Sequence, residues 1–250
     1  MSRHRFFAEG PLDASGVVPL DAADSHHLRH VLRLQPGEEI VVVADGVGRV
    51  VRITAIGPAI TGEVVGELPA DAVPRVMLVQ GLAKGEKTDT IVRQATELGV
   101  SCIVPLQAAR SVVRLDSAKA ATRTDRWRRI AAEAAKQSQR LDVPAVTPPV
   151  GISDVVGICG ADLVCVCQEE DTSRPGIAEA IDAAAVPADG TVAVVVGPEG
   201  GLTPEEVAVL EDAGAVRVTL GPTVLRTETA GVVAVALALH ARGGLGAPRG

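Results

Sequence analysis

The sequence predicts an α/β protein in two parts. A small β-rich domain covers residues 1–70, and a larger α/β domain over residues 74–245 carries a sheet of parallel strands covered on both faces. Three observations lead there. Two β-branched runs in "EEIVVVADGVGRVVRITAI" meet at Asp45-Gly46, a strong hairpin signal. Two prolines in "GELPADAVPR" break the chain between the parts. Beyond them apolar strands alternate with helical stretches, the pattern of a parallel sheet.

In chain order, "DSHHLRHVLRLQPGEEI" predicts a short helix capped by Asp24 or Ser25 and stopped at Pro36-Gly37. Arg29 and Arg33 then share one helix face, compatible with phosphate contact and equally with a solvated face. The Asp45-Gly46 hairpin follows, and "ITGEVVGEL" adds a strand. In the second part "RVMLVQGL" reads as a strand and "KTDTIVRQATELG" as a helix ended by Gly99. "SCIVPL" is a strand, and "TDRWRRIAAEAAKQSQR" a helix carrying most of a basic patch. "DLVCVCQ", "TVAVVVG" and "VRVTLG" are further strands, and "RGGLGAPRG" a loose tail.

The 250 residues suffice for one large or two modest domains with ample core. Only three are aromatic (Phe6, Phe7 and Trp127), so Ala and Val build the interior. No leading apolar segment resembles a signal peptide, and the longest apolar stretch is too short to span a bilayer. A soluble, cytoplasmic protein without membrane contact is expected. Cys102, Cys159, Cys165 and Cys167 form no C-x-x-C pair, and no histidine completes a zinc set, so buried thiols and no metal are expected. His26, His27 and His30 lack a partner in a ligand pattern and read as a polar helix surface. The net charge of −7 hides an uneven distribution, because residues 110–140 hold nine basic side chains against three acidic. A phosphate backbone responds to such a patch rather than to the sum.

"VAVVVGPEGGLTPEEV" poses the functional question. Thr203 suits an N-cap, Pro204 the first helical position, and Glu205 and Glu206 the first turn. A plain turn needs fewer residues than this. Gly197, Gly200 and Gly201 suggest backbone left bare for a ligand at the carboxyl edge of the sheet. "CVCQEED" and "VTLGPTVLRTETA" also follow strands, and three such loops at neighbouring strand ends make a pocket.

These loops, with "HHLRHVLRLQPGEEI", "KGEKTDTIVRQATELGV", "RSVVR" and "RWRRIAAEAAKQSQR", resemble the bacterial 16S ribosomal RNA uridine-N3 methyltransferases of the SPOUT superfamily. The resemblance spans nearly the whole chain, and "GPEGGLTPEE" with "LGPTVLRTETA" is its most specific part. "AAKQSQRLDVP" departs from the more acidic, glycine-containing form expected there. The resemblance implies a PUA-like RNA-binding domain at 1–70, a trefoil-knot α/β methyltransferase domain at 74–245, S-adenosylmethionine as cofactor, 16S rRNA or the small ribosomal subunit as partner, and a homodimer. Cofactor contacts are then expected from Gln168, from Gly197, Pro198, Glu199, Gly200 and Gly201, and from Leu220, Gly221, Leu225, Thr227, Thr229 and Ala230. Arg226 and Glu228 are the catalytic candidates. Arg226 stabilises charge or grips phosphate; Glu228 accepts a proton, orients Arg226 or caps the last helix.

RNA-contact candidates are Arg3, Arg5 and Arg33 in the first domain, Lys84, Lys87, Arg110 and Arg114, and Arg126, Arg128 and Arg129 on the basic helix. Lys84 and Lys87 open a helix, where cations oppose the dipole, and this points them to phosphate. Two alternatives stay open: methylation of a ribose 2′-hydroxyl or another base, and a non-catalytic RNA-binding assembly factor. The intact glycines and Arg226-Thr227-Glu228 speak against the second.

Overall fold

The computed structural model describes residues 3–13, 15–69, 73–168 and 173–246. The centre of the expected interdomain break, the "EED" end of the first loop and the last four residues of the tail lie outside them. The chain divides into two compact units, residues 1–72 with 135–142, and residues 73–134 with 143–250.

In the first unit β1 (Arg5–Phe7) pairs in parallel with β2 (Glu39–Ala44), which continues antiparallel into β3 (Val47–Ile56) and β4 (Ile60–Glu67). Asp45 and Gly46 form the β2–β3 turn with φ of 52° and 74°, the left-handed pair that a two-residue hairpin of matching twist requires. Phe6, Leu28, Ile40, Val42, Val51 and Ile53 form this unit's core.

The helix departs from expectation at both ends. α1 (Ala22–His26) is capped by Asp21, whose carboxylate accepts from the Asp24 N–H at 2.6 Å. Asp24 is unavailable as a cap because it is buried and takes the Lys136 ammonium at 2.6 Å. A π-helical turn, His27–Val31, follows, and the Leu32 N–H closes on the His27 carbonyl. Arg33 lies beyond the helix at φ 54°, so it does not extend a helical face with Arg29.

The second unit holds one six-stranded sheet, every pairing parallel, in the order β10-β8-β9-β5-β6-β7. The strands are β5 (Arg75–Gly81), β6 (Cys102–Leu106), β7 (Ala145–Val146), β8 (Leu163–Cys167), β9 (Thr191–Val196) and β10 (Val216–Val218). Side chains alternate between the two faces. On one face Val76, Leu78, Val192 and Val194 pack with α2 (Lys87–Leu98), α3 (Ser117–Gln137), α5 (Ile177–Ala183) and α7 (Thr227–Ala241). On the other Met77, Val79, Ala193 and Val195 meet α4 (Val155–Cys159) and α6 (Pro204–Asp212). Burial on both sides is why these strands read as unbroken apolar runs.

Local signals account for the helix ends. Gly99 stops α2 at φ 113°. α6 starts with a reciprocal box, in which the Thr203 hydroxyl accepts from the Glu206 N–H and the Glu206 carboxylate from the Thr203 N–H. α3 begins seven residues before "TDRWRR", where the Asp116 carboxylate accepts from the Lys119 N–H at 2.9 Å. At the end of α7 the Arg242 guanidinium donates to the carbonyls of Pro187, Ala188 and Gly190. Of the thiols expected to be buried, Cys159 and Cys165 are buried and Cys102 and Cys167 half-buried, with burial pushing Cys165 up to about 12. Among the described residues no group of three or more His, Cys, Asp or Glu could hold a metal ion, and no helix is long and apolar enough to cross a membrane.

Candidate active site

β10, β8 and β9 are adjacent in the sheet, so their carboxyl ends bring three loops together. Between them opens a cavity of about 450 Å3. Cys167 and Gln168 line it from β8, residues 196–202 from β9, and residues 220–228 with Ala230 from the segment entering α7, Pro222 excepted. Lys87 and Arg110 complete the wall. The cavity therefore gathers all the expected cofactor residues except Thr229, together with Arg226 and Glu228. Thr229 is exposed, because the helical repeat that turns Thr227, Glu228 and Ala230 toward the cavity and core turns it to solvent.

The glycines of the β9 loop also meet close neighbours within the protein itself. A Cβ on Gly200 would stand 3.0 Å from the Arg110 Cβ, and one on Gly197 would stand 3.0 Å from the backbone of Gly201 and Leu202. Gly201 has φ 69°. Glycine lets the loop fold closely against itself and Arg110, and at Gly201 it accommodates the left-handed backbone. Arg110 also fastens it, donating from Nη1 to the carbonyls of Gly200 at 3.1 Å and Leu202 at 3.5 Å. Its Nη1 is thus engaged within the protein, while the residue remains exposed.

Beneath the loop lies a polar relay absent from the sequence reading. Gln80, buried in β5, donates from Nε2 to the Thr227 hydroxyl at 2.9 Å, and that hydroxyl donates to the Gly197 carbonyl at 2.6 Å. One threonine thus ties the sheet, the Gly-Pro loop and the first turn of α7. A Cβ on Gly81 would overlap Pro198, and one on Gly231 would overlap Gln80 Oε1, so both neighbours of the relay are glycine. The available signal was a lone amide in the apolar run "RVMLVQGL".

The charged groups also pair differently. Lys87 places Nζ 3.2 Å from Glu199 Oε1 and 3.2 Å from Glu228 Oε2. Those two carboxylates, Glu228 first, raise the Lys87 pKa. Glu228 is held below its usual value by its own backbone N–H, then Lys87, then the Arg226 charge. Burial pushes Glu199 up, but its own backbone N–H, the Lys84 N–H and Lys87 outweigh this and leave it lowered. At the α2 start the Lys87 ammonium is thus answered by two carboxylates, whereas Lys84 contributes its backbone N–H, to Glu199 Oε1 at 3.1 Å. Arg226 is the N-cap residue of α7 in an extended conformation, exposed, and its side chain makes no hydrogen bond or ion pair among the described residues. Of the readings open for Glu228, a direct pair with Arg226 is not formed among the described residues; Glu228 pairs with Lys87, which reaches both carboxylates from across the cleft.

The remaining RNA candidates each make a contact within the protein. In the first unit Arg3 pairs with Glu39 at 2.8 Å, and Arg5 donates to the Arg140 carbonyl at 2.8 Å. Arg114 donates to the Ala109 carbonyl at 2.7 Å and Arg128 to the Val146 carbonyl at 3.1 Å. Arg126 is bound to buried Asp89 at 2.6 Å, and Arg129 Nε to the Asp125 carbonyl at 3.3 Å.

Comparison with known proteins agrees with this arrangement. Residues 71–239 match the model of an RNA methyltransferase domain, and residues 20–59 that of an RNA methyltransferase PUA domain. The chain is 37% identical over 239 residues to ribosomal RNA small subunit methyltransferase E of Mycobacterium bovis, covering 92% of this chain and 88% of that one. The Bacillus subtilis protein of that name is 33% identical over 244 residues, covering 92% and 94%. A crystal structure of ribosomal RNA small subunit methyltransferase E from Neisseria gonorrhoeae bound to S-adenosyl methionine superposes with a TM-score of 0.80 at 29% identity, covering 94% and 96% of the two chains. With both domain models matched and the strand-end cavity formed between the loops that carry the resemblance, the chain belongs to the RNA methyltransferase family that includes ribosomal RNA small subunit methyltransferase E.

Proposed function

We propose that this protein transfers the methyl group of S-adenosylmethionine to N3 of a uridine in the 16S rRNA of the small ribosomal subunit. The observation that carries this reading is the cavity closed by the β8, β9 and β10 loops, with an arginine at its rim that is unpaired among the described residues, in a chain so similar to ribosomal RNA small subunit methyltransferase E. About 450 Å3 falls within the range of small-molecule sites. Val196, Leu202, Leu220, Leu225 and Ala230 give apolar walls for an adenosine, and Glu199, Glu228 and Arg226 a charged mouth for an amino-acid tail and a reacting base.

The cofactor supplies a methyl group already electrophilic on its sulfonium, so the protein's work is placement and charge. The backbone of residues 197–202 and 220–225, with Gln168, holds the nucleoside. Thr227 and Gln80 keep the β9 loop and α7 in register. In the transfer the N3–CH3 bond forms, the S–CH3 bond breaks and the N3 proton leaves. Glu228, ionised at neutral pH, receives that proton. Arg226 faces the charge that develops on the uracil carbonyl oxygens, an interaction that strengthens only in the transition state.

Residues 1–70 act as a PUA-like RNA-binding domain and residues 74–245 as a trefoil-knot SPOUT domain. The path after β10 supports the knot: β10 is an edge strand, yet the next element, α7, packs in the core with central β5 and β9. A homodimer fits α7, whose Val232, Val233 and Leu237 are left partly exposed. The proposed substrate and the lack of a membrane-crossing helix among the described residues fit a cytoplasmic location.

Mass spectrometry of 16S rRNA from a deletion strain tests the reaction. One N3-methyluridine should vanish and return with the wild-type gene. An unchanged set of modified uridines, or loss of a ribose or other base methyl group instead, overturns it.

A further inference from the structure

The first turn of α2 has two sides. Lys87 lines the cleft, whereas Glu86, Asp89, Thr90 and Arg93 line a separate groove of about 470 Å3, bounded across from them by Arg126, Arg129 and Ile130 of α3. Asp89 is buried and fully committed: it accepts from Arg126 Nε at 2.8 Å and from Trp127 Nε1 at 3.0 Å. Its charge is answered by Arg126, and in return the Arg126 guanidinium is fixed at the groove while half-exposed. Glu86 stands at the rim, 88% exposed and 3.9 Å from Arg126 Nη2, too loosely placed to occupy the groove. Arg129 spends only Nε, on the Asp125 carbonyl. Arg93 is exposed and makes no hydrogen bond or ion pair among the described residues. Two guanidinium groups with free N–H edges therefore face each other across a groove whose internal carboxylate is already neutralised.

We propose that this groove binds a backbone phosphate of the substrate RNA through Arg93 and Arg129, with Arg126 as a fixed positive charge beside them. Guanidinium forks match phosphate oxygens in pairs, and a groove with Ile130 as its single apolar lining residue offers little to a protein partner. The groove opens on the helical turn that carries Lys87 into the cleft, about 5 Å of helix rise. A strand whose target base enters the cleft carries its flanking phosphates past this turn. The inference rests on the reading of the protein as an enzyme acting on RNA.

The test is binding of in vitro-transcribed 16S rRNA across a salt series. Arg93→Ala with Arg129→Ala should lower the slope of log K against log salt by about 0.7 to 0.9, the share of one phosphate. Arg93→Lys with Arg129→Lys should keep the slope. S-adenosylmethionine affinity and thermal stability should stay at wild-type values in both. Arg126→Ala is avoided, since it strands the buried Asp89 carboxylate. An unchanged slope in the alanine variant, with the wild type still salt-dependent, overturns the groove and leaves the proposed function standing. A change in sedimentation instead of slope assigns the groove to a second copy of the chain and overturns it as well. Absence of salt-dependent RNA binding by the wild type removes both the groove and the proposed activity on RNA.

Discussion

The two Gly-Pro loops of the second unit share a sequence signature and differ in physical state. The loop after β9 is braced from every side: Arg110 holds two of its carbonyls, Thr227 a third, and Lys87 with the Lys84 N–H holds Glu199. The loop before α7 is open. Pro222, Thr223 and Arg226 are exposed, Val224 is 73% exposed, and its local ties run between Thr219 and Gly221. A fixed wall suits a cofactor that must be held in one pose. A free rim suits a substrate that arrives later and needs a cation without a resident partner. Substitutions in the braced loop should therefore cost stability, and those in the open loop should cost rate.

The largest effect is expected in the open loop. Arg226→Ala should lower the single-turnover rate at saturating RNA and cofactor by about 10² to 10³, by analogy with loss of an oxyanion donor. Its melting temperature should hardly move, since the side chain makes no hydrogen bond or ion pair among the described residues. A rate near wild type would end the distinction between the loops.

Next comes the relay under the braced loop. Thr227→Val removes a hydroxyl that satisfies both the Gln80 amide and the Gly197 carbonyl. Urea unfolding should show a loss of about 1 to 3 kcal/mol, the cost of leaving buried polar groups unpaired. Gly81→Ala, whose Cβ overlaps Pro198, should cost about 1 to 3 kcal/mol by overpacking. Cofactor affinity measured by calorimetry should fall in both. If stability falls while affinity holds, the loop is a structural element and not the cofactor wall.

Arg110→Ala should cost about 1 kcal/mol or less, because its two carbonyl bonds are partly exposed. RNA affinity should be unaffected, in contrast to a free surface arginine; a marked loss would return Arg110 to the RNA surface.

The smallest effect is the pH response of Lys87, Glu199 and Glu228. The lowered carboxyls contribute stability present above the unfolded value of 4.5 and lost as pH falls through their folded values. The raised lysine contributes stability present below its unfolded value of 10.5 and lost as pH rises through its folded value. The contribution is thus level between these limits and declines beyond both. Lys87→Met should make stability less dependent on pH at each end; identical profiles would show the cluster to be without weight.

Legibility followed the range of the interactions. The Asp45-Gly46 turn, the Gly99 stop and the Thr203 box were readable because each is closed by residues within a few positions of one another. The α1 cap was misplaced because Asp24, a good cap by residue type, is taken by Lys136, 112 positions away. Loop composition marked the cavity, since backbone that folds tightly must use glycine whatever the reason. The reason itself was hidden: the group pressing on Gly200 is Arg110, which no local pattern joins to it.

The sequence by itself determined most of the strands and helices, though not the short β1 and β7, as well as the parallel second sheet and the three loops that leave its strands. Periodicity and turn chemistry are local, and these features rest on them. Only the tertiary structure decided which charges are free. Lys87 and Arg226 are both cations beside a helix start, yet Lys87 is held by two carboxylates distant in sequence and Arg226 by none among the described residues. A charge meets its partner through space, and the sheet order β10-β8-β9-β5, unlike chain order, sets who lies within 4 Å of whom.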